Sequence, residues 1–366
     1  LGCLIFIPAA SFKSYGIFLT GLFTIGFGFT FLQIAANPLV LITGNPETGA
    51  SRLNLAGGFN SLATAVAPLI GVLVFYELLQ VKENPNNLKY PYIFLTLFFV
   101  LLAFMIWKFL KIKEDDITVH DSAGKLFALN HLNLIFGMLA IFFYVGAEVT
   151  IGTNLVSFLS DPLTINLQES VAGKLLAFYW GGAMIGRFLG SVALSDSKVF
   201  KKLVLMVLIS IALTAFMVYS IGNVELQLVY YVAFQALAIL LLLACKSSSR
   251  MNLILFSLVN IANLIVAMMM ANTMFAAWAI LSIGIFNSVM WPNIFDLGIA
   301  NLGKYKEQGS SLLVMMILGG ALLPLVQGYI ADVGNIVDSY WVPVFGYAYI
   351  LCYGLFYSQR KLNWIK

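Results

Sequence analysis

The sequence predicts an all-α protein that crosses a membrane many times. Hydrophobic residues make up 61% of its 366 residues and charged residues only 10%, whereas a soluble domain has about 45–50% apolar and about 25% charged residues. The mean hydropathy is correspondingly high, at +0.94. Apolar runs recur at intervals of about 20–30 residues, the length that spans a bilayer as a helix. The runs are continuous rather than alternating, which excludes a transmembrane β-barrel.

We predict eleven whole membrane spans and one partial span along the chain. The chain begins at Leu1 in the middle of an apolar run, so we expect a partial first span and an N-terminal truncation. The longest polar segment, 111–130, is predicted to be a linker between two helical blocks. The predicted spans are 1–10 (partial), 16–43, 53–79, 91–110, 131–159, 171–195, 203–221, 226–245, 253–271, 272–300, 310–331 and 341–357.

Lysine and arginine residues indicate the side of the membrane on which each connection lies. The connections between spans alternate between two sets. One set, which includes the linker and the C-terminus, carries fifteen lysine and arginine residues, and the other set carries four. Because basic residues are retained on the cytoplasmic side, we expect the linker and the C-terminus to be cytoplasmic, in a cell inner (plasma) membrane. Arg187 is the exception, since it lies within a span.

Several functional classes are excluded because the residues that would carry their chemistry are absent or unsuitably placed. Cys3, Cys245 and Cys352 lie far apart without a CxxC or Cys/His pair, so no metal site is expected. No GxxxxGK[ST] segment for ATP is present, and neither His120 nor His131 has the setting of a membrane-bound transferase. The net charge of +4 follows from the cytoplasmic lysines. We therefore expect no enzyme, no cofactor and no nucleic-acid partner.

Amides and prolines interrupt the apolar runs in a pattern that occurs twice. The first copy contains AANPLV and APLIG, with Pro38 and Pro68, and the second contains MWPNIF and LPLVQG, with Pro292 and Pro324. An amide in hydrocarbon is costly unless it has a partner, so these amides are expected to face a protein interior or a watery cavity. Repeats of this kind in two halves are typical of two-bundle transporters.

Six runs along the chain form a characteristic series: LQIAANP (32–38), RLNLAGGFNS (52–61), FFYVGAEVTIG (142–152), FYWGGAMIGRFLGS (178–191), FNSVMWPNIF (286–295) and QGSSLLVMMILGGALLPLVQGYIAD (308–332). These runs, and their order, resemble the fucose–galactose–proton symporter family of the major facilitator superfamily, in the branch of glucose/galactose transporters.

The resemblance implies the major-facilitator architecture of two helical bundles, which rock about a central sugar site. The chain then begins in about the third helix of the family, and 1–110 form the remainder of the N-terminal bundle. Residues 111–130 are the cytoplasmic linker, and 131–366 form the C-terminal bundle. Residues 203–245 have no counterpart in the family and are expected to be an inserted helical hairpin.

The resemblance also implies a secondary transporter that imports a monosaccharide, a hexose such as glucose, galactose or fucose, by cation symport. The proton is the expected ion, yet one of the family's two proton-carrying positions is Gln33 here, an amide that cannot titrate. The alternative is therefore a sodium-coupled or uniport carrier of the same fold for another small solute. The expected partners are the sugar and the lipid bilayer, and the chain is expected to be a monomer.

Glu148 lies within a span, so its carboxylate must be paired, protonated or in contact with water. It is either a sugar ligand or coupling carboxylate, or one half of a structural ion pair with Arg187 on the following helix. These two alternatives stay open at the level of the sequence.

Five further side chains are candidates for sugar binding. Gln33 and Asn60 can donate and accept hydrogen bonds, as sugar hydroxyls require, although interhelical amide bonds would use the same groups. Asn287 and Trp291 are four residues apart and so share a helix face, where the indole is either a platform for a pyranose or a packing residue. Gln327, which follows Pro324, is the fifth.

Overall fold

The computed structural model describes residues 1–43, 45, 48–72, 74, 78–79, 84–109, 127–221, 228–245 and 248–356. Within these ranges the chain is helical and contains no β-strand. The helices are α1 (Gly2–Phe12), α2 (Tyr15–Ile42), α3 (Gly49–Val72), α4 (Lys89–Phe109), α5 (Leu132–Ser160), α6 (Glu169–Ala193), α7 (Val199–Ile221), α8 (Leu228–Ala244), α9 (Ser249–Met269), α10 (Met274–Asn287), α11 (Met290–Ile299), α12 (Lys306–Met315), α13 (Gly319–Val333), α14 (Ile336–Ser339) and α15 (Trp341–Phe356).

The predicted spans coincide with these helices. Helix α1 occupies the predicted partial span, and each whole span matches one helix or two consecutive ones. In the described part of the chain, eight helical segments are long and apolar enough to cross a membrane: Tyr15–Leu41, Asn86–Lys108, Leu132–Ser160, Glu169–Ala193, Val199–Ser220, Ser249–Met269, Met274–Ile299 and Lys306–Val333. The prediction of an all-α polytopic membrane protein is therefore confirmed. Most of the predicted linker, 111–130, lies outside the described residues.

The chain divides into two compact units, which are described separately. The first consists of Leu1–Ala36 and Thr64–Lys125, and the second of Asn37–Ala63 and Leu126–Lys366. In the first unit α1 packs on α4. In the second unit α5 packs on α13 and α15, α6 packs on α10, and α9 packs on α10 and α15. The finer division into an N-terminal bundle, a linker and a C-terminal bundle remains a prediction.

Small residues allow helices of the second unit to approach until their backbones touch. A Cβ atom on Gly284 would collide with the main-chain oxygen of Tyr179, and one on Gly319 would collide with that of Phe142. Lipid chains are as apolar as leucine, so helices in a membrane associate through close packing of this kind rather than through the hydrophobic effect. Helix α10 is thereby held against α6, and α13 against α5.

The helix is interrupted at Ser288 and Val289, between α10 and α11. Pro292 explains the position, because a proline ring clashes with the carbonyl group four residues earlier, here that of Ser288, and lacks an N–H to donate. The Ser288 hydroxyl donates to the main-chain oxygen of Ile285 at 2.6 Å. It thus satisfies one of the carbonyl groups that the end of α10 leaves without an intrahelical partner.

The hairpin of α7 and α8 is anchored to α6 by Tyr231. The Tyr231 hydroxyl donates to the main-chain oxygen of Phe178 at 2.9 Å, and its ring packs beside those of Phe178 and Trp278, with centroid distances of 5.1 Å and 5.6 Å. Inside the hairpin, Gln235 Nε2 donates to Thr214 Oγ1 at 2.8 Å. The hairpin is therefore a packed part of the second unit, and its origin as an insertion at 203–245 remains a prediction.

Candidate functional site

Glu148 of α5 and Arg187 of α6 lie side by side. Arg187 Nη2 is 3.8 Å from Glu148 Oε1, and the side chains are only 18% and 11% exposed. One turn earlier on α5, the Tyr144 hydroxyl donates to the same carboxylate oxygen at 2.9 Å. A buried carboxylate needs both an opposite charge and hydrogen-bond donors to remain ionised. Arg187 and Tyr144 supply them, so the structure brings together the two charged residues singled out in the sequence.

Arg187 also reaches α3, which packs against α6 through small residues. Its Nη1 donates to the Ser61 hydroxyl, and a Cβ on Gly57 would lie 3.2 Å from its Cδ. Toward the start of α3, the Ser51 hydroxyl donates to the main-chain oxygen of Ser191 at 2.6 Å. A planar guanidinium presents several donors in a fixed fork. One arginine therefore links α3, α5 and α6.

Asn287 of α10 is a fully buried hub. Its Oδ1 accepts from the hydroxyl of Tyr347 in α15 at 2.7 Å and from Nδ2 of Asn260 in α9 at 3.0 Å. Its Nδ2 donates to the hydroxyl of Tyr179 in α6 at 3.1 Å. That hydroxyl in turn donates to the main-chain oxygen of Glu148 at 2.8 Å. The hub is thus connected to the helix turn that carries the carboxylate.

These residues form one group within the second unit, called the central polar cluster below. Its hydroxyl, amide and carboxylate groups both donate and accept hydrogen bonds, which suits a ligand with many hydroxyl groups, and the carboxylate can take up a proton. The cluster consists of Ser61, Tyr144, Glu148, Tyr179, Arg187, Asn260, Asn287 and Tyr347.

Two predicted sugar ligands have exposed side chains. Asn60 precedes Ser61 on α3 and is exposed beside the cluster, in the second unit. Gln33 is exposed on α2 and belongs to the first unit. Polar side chains within apolar membrane helices usually face the bundle interior or a watery cavity.

The predicted sugar ligands Trp291 and Gln327 have less exposed side chains. Trp291 is half-buried, and its ring stacks on that of Phe295 with 4.9 Å between centroids. Trp291 and Asn287 lie on either side of the interruption at Ser288 and Val289, and the expectation that they share a face remains a prediction. Gln327 of α13 is fully buried and donates through Nε2 to the Ser339 hydroxyl at 3.1 Å.

Sequence reasoning did not find the three tyrosines of the cluster. Tyr144 had a usable signal, because it lies four residues before Glu148 and hence on the same helix face. Tyr179 and Tyr347 had none, since a tyrosine in an apolar run is also typical of the membrane interface. Their convergence on Asn287 follows from the packing of α6, α10 and α15.

No family model matches the chain, but relatives align with nearly all of it. It is 37% identical to the glucose/galactose transporter of Brucella abortus (biovar 1, strain 9-941), over 98% of this chain and 76% of the relative. It is 32% identical to the putative glucose/galactose transporter of Helicobacter pylori (strain 26695), over 99% of this chain and 79% of that relative. The L-fucose-proton symporter of Escherichia coli K12 is 28% identical, over 99% of this chain and 77% of that relative.

A solved structure shows the same fold. The outward conformation of the Major Facilitator Superfamily transporter FucP superposes with a TM-score of 0.73 at 26% identity, over 98% of this chain and 80% of that one. Fold and helix arrangement thus define a transporter of the major facilitator superfamily, not an enzyme. Within it, the chain belongs to the fucose–galactose–proton symporter family, on the side of the glucose/galactose transporters.

Proposed function

We propose that this protein imports a monosaccharide, a hexose such as glucose, galactose or fucose, by symport with a proton and by alternating access. The observation that carries the proposal is the central polar cluster, in which a buried carboxylate is held by an arginine and a tyrosine. The relatives named as glucose/galactose transporters and as L-fucose-proton symporters support the substrate class and the ion.

Glu148 is the proposed coupling carboxylate. Its ion pair with Arg187 is long, at 3.8 Å, so protonation removes an attraction without breaking a close hydrogen bond. A protonated Glu148 no longer attracts the guanidinium, whose other contact is the Ser61 hydroxyl on α3. Proton uptake would thus change how α5, α6 and α3 are linked, and a link of this kind between a charge and helix packing is what symport requires.

The sugar ligands are proposed to be Gln33, Asn60, Glu148, Asn287, Trp291 and Gln327. Asn60 has the best position among them, because it is exposed beside the cluster. The Asn287 oxygen already accepts two hydrogen bonds, so only its second N–H is free for a hydroxyl. Its main effect is to orient Tyr179 and Tyr347.

The second candidate function is a sodium-coupled or uniport carrier of the same fold for another small solute. It is favoured by Gln33, which stands where the resemblance implies a titratable carboxylate and cannot carry a proton. We place the protein as a monomer in the lipid bilayer of the inner membrane, with the linker and the C-terminus cytoplasmic, as the distribution of basic residues indicates.

Uptake of labelled hexoses into vesicles that contain the full-length protein tests this function. Asn60→Leu is expected to reduce hexose uptake at least tenfold without loss of expression, because apolar leucine cannot bond to a hydroxyl. Asn86→Leu is the matched control, since Asn86 is exposed in the turn before α4 and lies outside the proposed site. Normal uptake by Asn60→Leu would remove Asn60 from the site, and a similar loss in both variants would indicate a general defect.

Glu148→Gln tests the coupling separately from binding. Glutamine keeps the shape and hydrogen-bonding capacity of the side chain but cannot take up a proton. We expect at least a tenfold loss of pH-driven hexose accumulation, with exchange of internal for external sugar retained. Accumulation at the wild-type level would show that Glu148 is not the coupling residue.

A further inference from the structure

Trp180 lies in the middle of α6, on the helix face that also carries Arg187. The two residues are seven positions apart, which is about two helical turns, so their side chains leave the helix on the same side. On that side Arg187 meets Glu148 of α5 and Ser61 of α3. Charged side chains within membrane helices face the bundle interior or a watery cavity. The face of α6 that carries Trp180 is therefore turned away from lipid.

The indole ring of Trp180 rests on Gly152 of α5. A Cβ atom on Gly152 would lie 2.5 Å from Trp180 Cζ2, so only a glycine leaves room for the ring at this place. Gly152 comes four residues after Glu148 and is thus on the same face of α5. The indole ring and the carboxylate are therefore neighbours, one turn apart along the seam between α5 and α6.

Part of the Trp180 side chain remains open. Trp180 is 36% exposed, whereas the preceding Tyr179 is 1% exposed. Tryptophans that anchor a helix at the membrane surface lie near its ends, but Trp180 lies near the middle of Glu169–Ala193. Substrate sites of secondary transporters lie at about this depth of the membrane. An open indole ring in this position is available to a ligand.

The chemistry of the ring suits the part of a sugar that hydrogen bonds cannot recognise. A pyranose has its hydroxyl groups at the edge and C–H groups on its faces. The face of an indole is apolar and carries negative charge density, so it attracts such a C–H face, while polar side chains beside it bond to the hydroxyls.

We propose that Trp180 is the platform on which the pyranose ring of the transported hexose stacks, with the Glu148 carboxylate at the edge of the sugar. Gly152 is a positioning residue, because it lets the indole ring lie against α5. The inference rests on the proposed hexose transport and adds to it the residue that recognises the apolar face of the sugar.

Uptake kinetics of Trp180→Leu and Trp180→Phe in vesicles that contain the full-length protein test the platform. Trp180→Leu is expected to raise the KM for galactose and glucose about tenfold, because it removes the aromatic face. Trp180→Phe keeps a smaller ring and is expected to raise the KM about threefold. A purely structural role would lower the amount of active protein, and hence the maximal rate, without raising the KM. A wild-type KM in Trp180→Leu would overturn the proposal.

Gly152→Ala tests the position of the ring and keeps the proposal testable if Trp180→Leu does not fold. Its methyl group displaces the indole ring, so the KM is expected to rise about tenfold, with no further rise in Gly152→Ala/Trp180→Leu. Gly181→Ala is the matched control, since its methyl group meets the flexible end of Met217 on α7 and should leave the KM unchanged. Additive effects of Gly152→Ala and Trp180→Leu, or an equal rise in Gly181→Ala, would contradict the positioning role of Gly152.

Tryptophan fluorescence of the purified full-length protein measures binding without transport. Galactose is expected to change the emission of the wild type saturably, and Trp180→Phe is expected to lose this change. Trp341→Phe is the control, because Trp341 is an exposed ring at the start of α15, and should keep it. A saturable change that persists in Trp180→Phe would overturn the platform and leave hexose binding intact. A wild type that neither binds nor transports any hexose would overturn the proposed function together with the platform.

Discussion

Asn287 and Asn293 lie six residues apart on either side of one helix interruption, and both are fully buried. Asn287 is bonded to three side chains from three other helices, whereas Asn293 is bonded to none. Burial alone therefore does not say what a polar residue in a membrane helix does. A satisfied amide fixes the positions of its neighbours, and an unsatisfied one indicates a site that something else fills.

The same difference separates two acidic residues on helices of the second unit, Glu148 and Asp296. Glu148 has an arginine within 4 Å and accepts a hydrogen bond from a tyrosine hydroxyl, whereas Asp296 accepts one from the Ser249 hydroxyl and has Lys306 as its nearby cation. We propose that the first couples a proton to helix movement. Removing the partners of buried polar groups should therefore lower the free energy of unfolding by unequal amounts.

Arg187→Leu is expected to have the largest effect on stability. It leaves the buried Glu148 carboxylate without its cation, which costs about 3–5 kcal/mol of unfolding free energy. Arg187→Leu/Glu148→Leu should recover most of this loss, because an apolar pair leaves no buried charge. Unfolding in mixed SDS and dodecyl maltoside micelles measures the difference.

Arg250→Leu is the control for Arg187. Arg250 Nε donates to the neutral main-chain oxygen of Gly354 at 2.9 Å, so its replacement is expected to cost only about 1 kcal/mol. Equal losses in Arg187→Leu and Arg250→Leu would contradict the view that the charge of Glu148 requires Arg187.

Asn287→Leu is expected to have the next largest effect, because it leaves three buried partners unsatisfied. The expected loss is about 2–4 kcal/mol in the same unfolding experiment. Asn293→Leu, on the following helix α11, is the matched comparison and should change stability by less than about 1 kcal/mol, in the stabilising direction. The contrast between the bonded Asn287 and the unbonded Asn293 fails if the two variants are equally destabilised.

Tyr347→Phe tests one bond of the hub and has the smallest expected effect. It removes the hydroxyl that donates to Asn287 Oδ1, while Asn260 still donates to that oxygen, so the loss should be about 1 kcal/mol. Tyr349→Phe removes an exposed hydroxyl whose bond to Phe136 is long, at 3.4 Å, and should be neutral. A neutral Tyr347→Phe would show that the hub does not depend on α15.

The helices could be predicted from the sequence because the bilayer determines their length and composition. All twelve predicted spans coincide with helices, since each apolar run must satisfy its own backbone in lipid. The interruption at Ser288 was missed, although Pro292 carried the signal through its clash with the carbonyl four residues earlier.

The site was less predictable because it depends on contacts between distant helices. A lone Glu148 in an apolar run predicts a partner, and Arg187 on the next helix was the nearest candidate, which the structure places 3.8 Å away. No local sequence pattern predicts that Tyr179 and Tyr347 converge on Asn287, because this convergence follows from the three-dimensional packing of the helices. The burial of the Asn252 and Asn293 amides without hydrogen-bond partners likewise follows from the packing of helices.

Recording the external pH during hexose uptake tests the central claim most directly. Vesicles that contain the full-length protein, in weakly buffered medium, receive glucose, galactose or fucose in turn. Proton symport predicts alkalinisation of the medium with at least one of these sugars in the wild type, and none in Glu148→Gln. Hexose uptake without any change in pH would contradict proton coupling, and the absence of uptake of all three sugars would contradict the proposed function itself.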